Sequence, residues 1–339
     1  MKEAILYEPG ENLNVSCHLC PHDCVIKTGG TGVCGVRKNA GGTLFSMNYG
    51  KVVAIHNDPV EKKPLFHFLP GSRTLSFAAA GCNLRCMHCQ NWSISQWPRD
   101  KKGWVELPGD DVPAVNIAEA AAEAGSASIS YTYTEPTIYI EYALDVMKEA
   151  KKRGLKNIFV TNGYMSGGCV QMISPLLDAA NVDLKSSSDE FYKNICGGRV
   201  GPVMETIKLL WKAGVWVEVT TLLIPGRNDS NEDIQTVADF LAGISKDIPW
   251  HVSMFHPDYK LTDAPRTPAE TLIKAMKIGK KAGLKFVYAG NILMEGCEDT
   301  RCPKCGKTVV ERSGFSVVKN ELSGGRCPQC KNEIPGRWQ

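Results

Sequence analysis

Between residues 74 and 291 short apolar runs alternate with amphipathic stretches. "TLSFAAAG" (74–81), "ASISYTY", "NIFVTNG", "NVDLKS", "VWVEVTTLLIPG", "WHVSMFHP" and "KFVYAGN" read as buried strands, rich in β-branched and aromatic residues and bounded by turn formers. Between them, "NIAEAAAEAG", "TIYIEYALDVMKEAKKRG", "CVQMISPLLDAA", "PVMETIKLLWKAG", "NEDIQTVADFLAGIS" and "PAETLIKAMKIGKKAG" carry helical periodicity. Gly154 is a natural stop for the second of these helices. Six or seven strand–helix units in series predict an α/β fold with a parallel sheet, a partial or complete (β/α)6-type, TIM-like barrel. "KVVAIHND", upstream of these units, alternates like one more strand.

Composition adds a compartment and two flanking modules. At 339 residues with 43% hydrophobic content, the chain is long enough for one large core and small appended units. A formal charge of +3 without a long basic run singles out neither nucleic acid nor a membrane surface. The opening "MKEAILYEPG" lacks a signal pattern, and no apolar run reaches the ~18 residues of a membrane span. The expectation is a cytoplasmic protein, where the 14 cysteines serve as metal ligands rather than disulfides. Most fall in three clusters, giving an N-terminal four-cysteine metal-binding cap (1–60), a barrel (61–296) and a zinc-ribbon-like module (297–339). Cys169, Cys196 and Cys297 stand apart, the first two as packed small residues.

In a βα barrel chemistry gathers at the C-terminal ends of the strands, where loops and helix N-termini converge. The first strand runs into "GCNLRCMHCQNW", with Cys82, Cys86 and Cys89 at C-x3-C-x2-C spacing. Glu135 follows the second strand, Thr161 and Asn162 the third, Asp183 and Lys185 the fourth, Arg227 the fifth and His256 the sixth. Three thiolates can hold three irons of a 4Fe-4S cube and leave the fourth open to a ligand that is not protein. A zinc knuckle borrowing His88 as fourth ligand is the structural alternative.

These residues resemble the signature of the radical S-adenosylmethionine superfamily. "GCNLRCMHCQNWSISQW" with "TNG", "DLK", "IPG" and "FH" is similar to the activating enzymes of pyruvate formate-lyase and other glycyl-radical enzymes. "CHLCPHDC", "GVCGVRKN", "DPVEKKPLFHFLPGS", "TYTEPTIYIEY" and the paired terminal CxxC motifs extend the resemblance to radical enzymes of the AmmeMemoRadiSam system, which are encoded with two partner proteins. The resemblance implies a 4Fe-4S cluster on Cys82, Cys86 and Cys89 and S-adenosylmethionine chelated to its open iron. It also implies a reductant such as flavodoxin or ferredoxin, and hydrogen abstraction from a small molecule or a protein residue. Glu135 takes the place of the glutamate in a Gly-Gly-Glu element that receives the methionine ammonium, with Tyr133 and Thr134 where the glycines stand. A carboxylate at a helix N-terminus is its alternative role. Thr161, Asp183 and Lys185 match positions that organise the cofactor and a monovalent cation, although Val160 replaces the aspartate found in the activases. Lys185 suits the methionine carboxylate or is a solvated rim lysine. His256 suits the ribose or is structural, and Asn162 is a cofactor contact or a loop former.

Cys302, Cys305, Cys327 and Cys330 form two CxxC knuckles separated by residues 306–326, the pattern of a zinc ribbon, with rubredoxin-like iron second. Cys17, Cys20, Cys24 and Cys34 are a complete set of four, which suits zinc or an auxiliary cluster, zinc slightly ahead; His18 and His22 are possible substitutes. Three functions remain open: an enzyme acting on an unidentified substrate, a glycyl-radical activase, and a non-catalytic metal adaptor or electron carrier.

Overall fold

The computed structural model describes residues 1–100, 106–292 and 294–339. Its main sheet has eight strands: β1 (Ala54–Pro59), β2 (Arg73–Ala78), β3 (Ser128–Tyr131), β4 (Lys156–Thr161), β5 (Ala179–Asp183), β6 (Trp216–Leu223), β7 (Trp250–Met254) and β8 (Val287–Gly290). β2 to β8 pair in chain order and parallel, while β1 closes one edge antiparallel to β2 with Ala54 opposite Ala78. The hydrogen-bonded order ends at β1 and at β8, so the expected barrel takes its partial, open form. Helices α1 (Ala114–Glu123), α2 (Ile140–Lys152), α3 (Gly167–Ile173), α4 (Val200–Lys212), α5 (Asn231–Ile244) and α6 (Ala269–Lys281) make the connections. Every residue of β3 and β7 is buried, as befits a parallel sheet covered on both faces.

Local chemistry sets the ends of the helices. After α2, Gly154 adopts φ +73° and its N–H bonds the Lys151 carbonyl, the expected stop. α3 is shorter than the apolar pattern of 169–180 suggests: it ends at Ile173, because Pro175 has no N–H to continue the helical hydrogen-bond ladder, although Ser174 before it still holds helical dihedrals (φ −54°, ψ −35°). Ala179 and Ala180 then open β5. The strand expected in "KVVAIHND" exists as Lys51–Val52 and β1, so a boundary at 60 falls after an edge strand of the main sheet.

Two small antiparallel sheets build the N-terminal unit: Tyr7–Pro9, Val15–Cys17 and Cys24–Ile26, then Lys2–Glu3, Arg37–Ala40 and Thr43–Ser46. Thr300–Arg301, Thr308–Ser313 and Ser316–Asn320 form the C-terminal sheet. That sheet shares a core with the barrel, in which Val309, Cys327 and Ile334 pack with Phe66, Phe286 and Tyr288. No helix among the described residues is long and apolar enough to cross a membrane.

Segment 64–69 sits at the N-terminal end of the strands and is held by Glu218, which accepts from the Phe66 and His67 N–H groups (3.0 and 2.7 Å), Trp216 Nε1 (3.0 Å) and His251 Nε2 (2.7 Å). His67 is buried and donates Nδ1–H to the Pro335 carbonyl at 2.6 Å, so Nε2 is left to accept from the Tyr288 hydroxyl at 2.7 Å. This pairing fixes a neutral imidazole, and burial lowers its pKa from 6.5 to about 4. Because the unfolded chain binds this proton at higher pH than the folded one, stability falls as pH drops from about 6.5 towards 4, by at most roughly 3 kcal/mol. Denaturant titrations of wild type and His67→Gln between pH 7.5 and 4.5 check this. The wild type should lose more stability than the variant over that range, and parallel profiles would contradict the assignment.

Candidate active site

β2 delivers its chain into the cysteine loop through Gly81, whose φ of +108° and close neighbours exclude a side chain: a Cβ there would lie 2.8 Å from Val36 Cγ1. Cys82, Cys86 and Cys89 then face a cavity of about 530 Å³. Its wall is completed by strand ends and the turns after them: 132–135 after β3, Val160, Thr161 and Asn162 at β4, Asp183 and Lys185 at β5, Thr220 and Leu222 of β6, Ser253 of β7 and Asn291 after β8. Five of the six candidate cofactor contacts therefore share one cavity with the three thiols. His256 is exposed at the rim, accepting from Gln90 Nε2 at 2.9 Å, and is not part of that wall.

The sulfurs sit among donors. Cys82 Sγ accepts from the Leu84 N–H at 3.4 Å and from Asn162 Nδ2 at 3.6 Å, and Cys89 Sγ lies 3.3 Å from Ser95 Oγ. Burial pushes the Cys82 thiol well up, helped by the charges of Glu135, Cys86 and Cys89. Cys86 is raised by a hydrogen bond with Cys196 and then by burial. Thiols so buried ionise only with a bound cation, and an iron-sulfur cluster supplies that cation to thiolates. Three thiols, N–H donors on sulfur and an adjoining polar cavity fit a cluster with one open iron. Both ring nitrogens of His88 are buried without a hydrogen-bond partner, and burial lowers its pKa to about 3.

Glu135 is the hub of the opposite wall and is 1% exposed. Its Oε1 accepts from the Thr137 N–H (3.0 Å), the Thr137 hydroxyl (2.6 Å) and the Thr161 hydroxyl (2.7 Å), and Oε2 accepts from the Asn162 N–H (2.8 Å). The carboxylate thus caps the short helix Pro136–Tyr139 and ties the β3 turn to the end of β4. Burial raises its pKa while these donors oppose the rise. Asn162 forms the loop: its Oδ1 accepts the Tyr164 N–H at 2.8 Å, and Nδ2 donates to Asn83 Oδ1 at 2.9 Å and reaches Cys82 Sγ. Lys185 is largely buried and bonded to Asp183 Oδ2 at 2.9 Å. Burial would lower its pKa, but Asp183, Cys86 and Cys196 together hold it well above the usual value, so the ammonium persists.

Tyr133 and the lysines of "DPVEKKP" are additions that motif reading passes over. Tyr133 holds φ +64°, a left-handed conformation that favours glycine. Its hydroxyl donates to Asp58 Oδ2, which also accepts from Lys63 Nζ at 2.7 Å, while Lys62 Nζ reaches Asp58 Oδ1 at 3.0 Å. Lys63 Nζ lies 4.6 Å from the Tyr133 ring centroid, and burial lowers its pKa to about 8. The acid–lysine–lysine spacing was a signal, but partners 75 residues apart in sequence could not be paired from it. Cys196, buried beside Cys86 and reached through the Arg85 N–H bond to its carbonyl (2.8 Å), left no signal in the sequence at all.

The C-terminal cysteines converge as expected: all four sulfurs lie within 4.8 Å of one another, with Cys302–Cys330 at 3.5 Å and Cys305–Cys327 at 3.6 Å. That geometry suits a single metal ion.

A model of the radical SAM superfamily matches residues 78–241, the stretch that holds the cysteine loop and strands up to β6. The chain belongs to the radical SAM superfamily, whose members use a 4Fe-4S cluster and S-adenosylmethionine. It is 43% identical over 337 residues to an uncharacterized protein of Methanocaldococcus jannaschii, covering 98% of this chain and 99% of that one. It is 25% identical to the pyruvate formate-lyase-activating enzyme of Clostridium pasteurianum, over 57% of this chain and 84% of the enzyme. The 7-carboxy-7-deazaguanine synthase of Thermococcus kodakarensis is 27% identical, over 52% of this chain and 72% of that one.

Proposed function

We propose that the protein reductively cleaves S-adenosylmethionine at a 4Fe-4S cluster held by Cys82, Cys86 and Cys89, and that the 5'-deoxyadenosyl radical takes a hydrogen atom from a small molecule or a protein residue. The observation that carries this reading is the three-thiol loop opening onto the strand-end cavity. When bound, the cluster supplies an open iron and one electron to the sulfonium. Lys185, held by Asp183, offers its ammonium to the methionine carboxylate. Glu135 already has four donors on its carboxylate, so its part is to order Thr161 and Asn162, and the turn 132–135 presents backbone to the methionine ammonium. Asn162 then braces the Cys82 sulfur, and Lys63 and Tyr133 line the side open to substrate. His256 at the rim is left for the nucleoside end of the cofactor or for access control. In the same reading the ribbon cysteines hold zinc, which lets a tail of about 40 residues fold on the barrel. The reductant is flavodoxin or ferredoxin in a reducing cytoplasm, which accords with fourteen free cysteines.

The relative from Clostridium pasteurianum favours a second reading, a glycyl-radical activase acting on a partner protein. Proteins of the AmmeMemoRadiSam system are the first partners to try. Anaerobically reconstituted protein, reduced with dithionite in the presence of S-adenosylmethionine, is expected to form 5'-deoxyadenosine and methionine. A stable carbon radical on an added partner, seen by electron paramagnetic resonance, would select the activase. Absence of 5'-deoxyadenosine from cluster-loaded protein, alone and with candidate partners, would return the chain to the adaptor class.

A further inference from the structure

Three cysteine sets occur in this chain, and they are not spaced alike. The ribbon cysteines close to within 4.8 Å of one another, and among the described residues theirs is the set that does so. One tetrahedral metal, at about 2.3 Å from each sulfur, holds every pair of sulfurs at roughly 3.8 Å. A cube places each thiolate on a different iron and keeps the sulfurs farther apart. Cys82, Cys86 and Cys89, on the loop where the superfamily carries its cluster, have the wider spacing.

Cys17, Cys20, Cys24 and Cys34 also have it. Cys17 and Cys24 face each other across the strand pair Val15–Cys17 and Cys24–Ile26, with Cys20 in the connecting turn. The turn before Cys34 closes on the group, where a Cβ on Gly32 would lie 3.7 Å from Cys24 Sγ. The four converge, yet no three of them come within the 4.8 Å that the ribbon achieves. Their surroundings suit a large anionic centre. The Val33 N–H donates to Cys24 Sγ at 3.5 Å. Arg37 is 1% exposed, its charge bears on Cys17 and Cys34, and its Nε and Nη1 have no hydrogen-bond partner, although Nη2 pairs with Glu141 at 2.9 Å.

We propose that Cys17, Cys20, Cys24 and Cys34 hold a second 4Fe-4S cluster rather than a structural zinc ion. Its position gives the choice a consequence, because this set abuts the catalytic loop. Arg99 donates to the Val33 carbonyl (2.6 Å), to the Leu84 carbonyl (3.0 Å) and to the Cys82 carbonyl, so one guanidinium spans both sets. His22 Nε2 donates to the Asn83 carbonyl at 2.8 Å, and a Cβ on Gly81 would lie 3.4 Å from the Cys34 carbonyl oxygen. A second redox centre therefore stands one side chain away from the first.

The test is iron, sulfide and zinc per full-length chain, with Mössbauer spectra, after anaerobic reconstitution of the Cys82→Ala/Cys86→Ala/Cys89→Ala variant. The proposal expects about four irons and four sulfides as a cubane in that variant, with one zinc in the ribbon, and about eight irons in the wild type. A variant holding two zincs and no iron, or one iron without sulfide, would overturn it. Should the triple variant not fold, Cys20→Ser/Cys24→Ser in the wild-type background is expected to halve the iron, whereas an unchanged count near four would overturn the proposal. Failure of S-adenosylmethionine cleavage leaves these counts untouched, so the two readings fail separately.

Discussion

Replacing Cys82, Cys86 or Cys89 singly by alanine is expected to abolish 5'-deoxyadenosine formation while the protein stays folded. Removing a partner that merely orients a metal ligand typically costs 10- to 100-fold. Removing a ligand itself from a site with three should exceed that, so a loss of more than about 100-fold is expected for each variant. The fold should survive because each substitution trims one sulfur from the loop after β2, where Cys86 joins the edge of the apolar core and Cys82 and Cys89 pack against it, while the residues of β3 and β7 at the centre of that core are untouched. Each substitution deletes one sulfur beside a polar cavity, where water can take its place. Product chromatography beside circular dichroism and thermal melts checks both halves. Turnover persisting in all three variants would remove the cluster from this loop, and collapse of the fold would show that the loop is structural.

Glu135→Gln should have the second largest effect, for a reason that lies in hydrogen-bond sense. The carboxylate accepts four bonds and donates none, and all four donors are buried. A glutamine amide keeps one accepting oxygen and turns two N–H groups towards donors. At least one N–H or hydroxyl then loses its partner in a buried site, which costs about 1–3 kcal/mol. Thr161 and Asn162 lose their common anchor, and with Asn162 goes a donor to Cys82 Sγ. A lower melting temperature together with a 10- to 100-fold loss of S-adenosylmethionine cleavage is expected. Glu135→Asp, which keeps the charge but shortens the reach, should fall between the two. If Glu135→Gln loses affinity for S-adenosylmethionine at unchanged melting temperature, the carboxylate acts on the methionine ammonium directly and the clamp is the lesser role.

Strand and helix order was legible because it depends on short-range periodicity. An apolar residue every second or every third to fourth position decides which face is buried wherever the element lies. Strands 74–81 and 157–163 and the helix ending at Gly154 could be placed in that way, and Pro175 alone shortened α3. Cysteine spacing was legible for the same reason, since ligands two or three residues apart are brought together by one turn. Carrying strand-end logic to the chemistry put Glu135, Thr161, Asn162, Asp183 and Lys185 on the cavity wall with the thiols.

The sequence by itself determined the order of elements, the cysteine motifs and the family signature, because periodicity and the short spacings C-x3-C-x2-C and C-x2-C are patterns between near neighbours. Tertiary structure decided which distant groups share a wall. It left the sheet open, moved His256 to the rim, set Lys63 and Tyr133 on Asp58, placed Cys196 against Cys86, and gave the ribbon sulfurs a tight spacing and the N-terminal sulfurs a wide one. Those outcomes depend on the twist of the sheet and on the paths of loops that join residues tens to hundreds of positions apart, and no local pattern of apolar and polar residues encodes such a meeting.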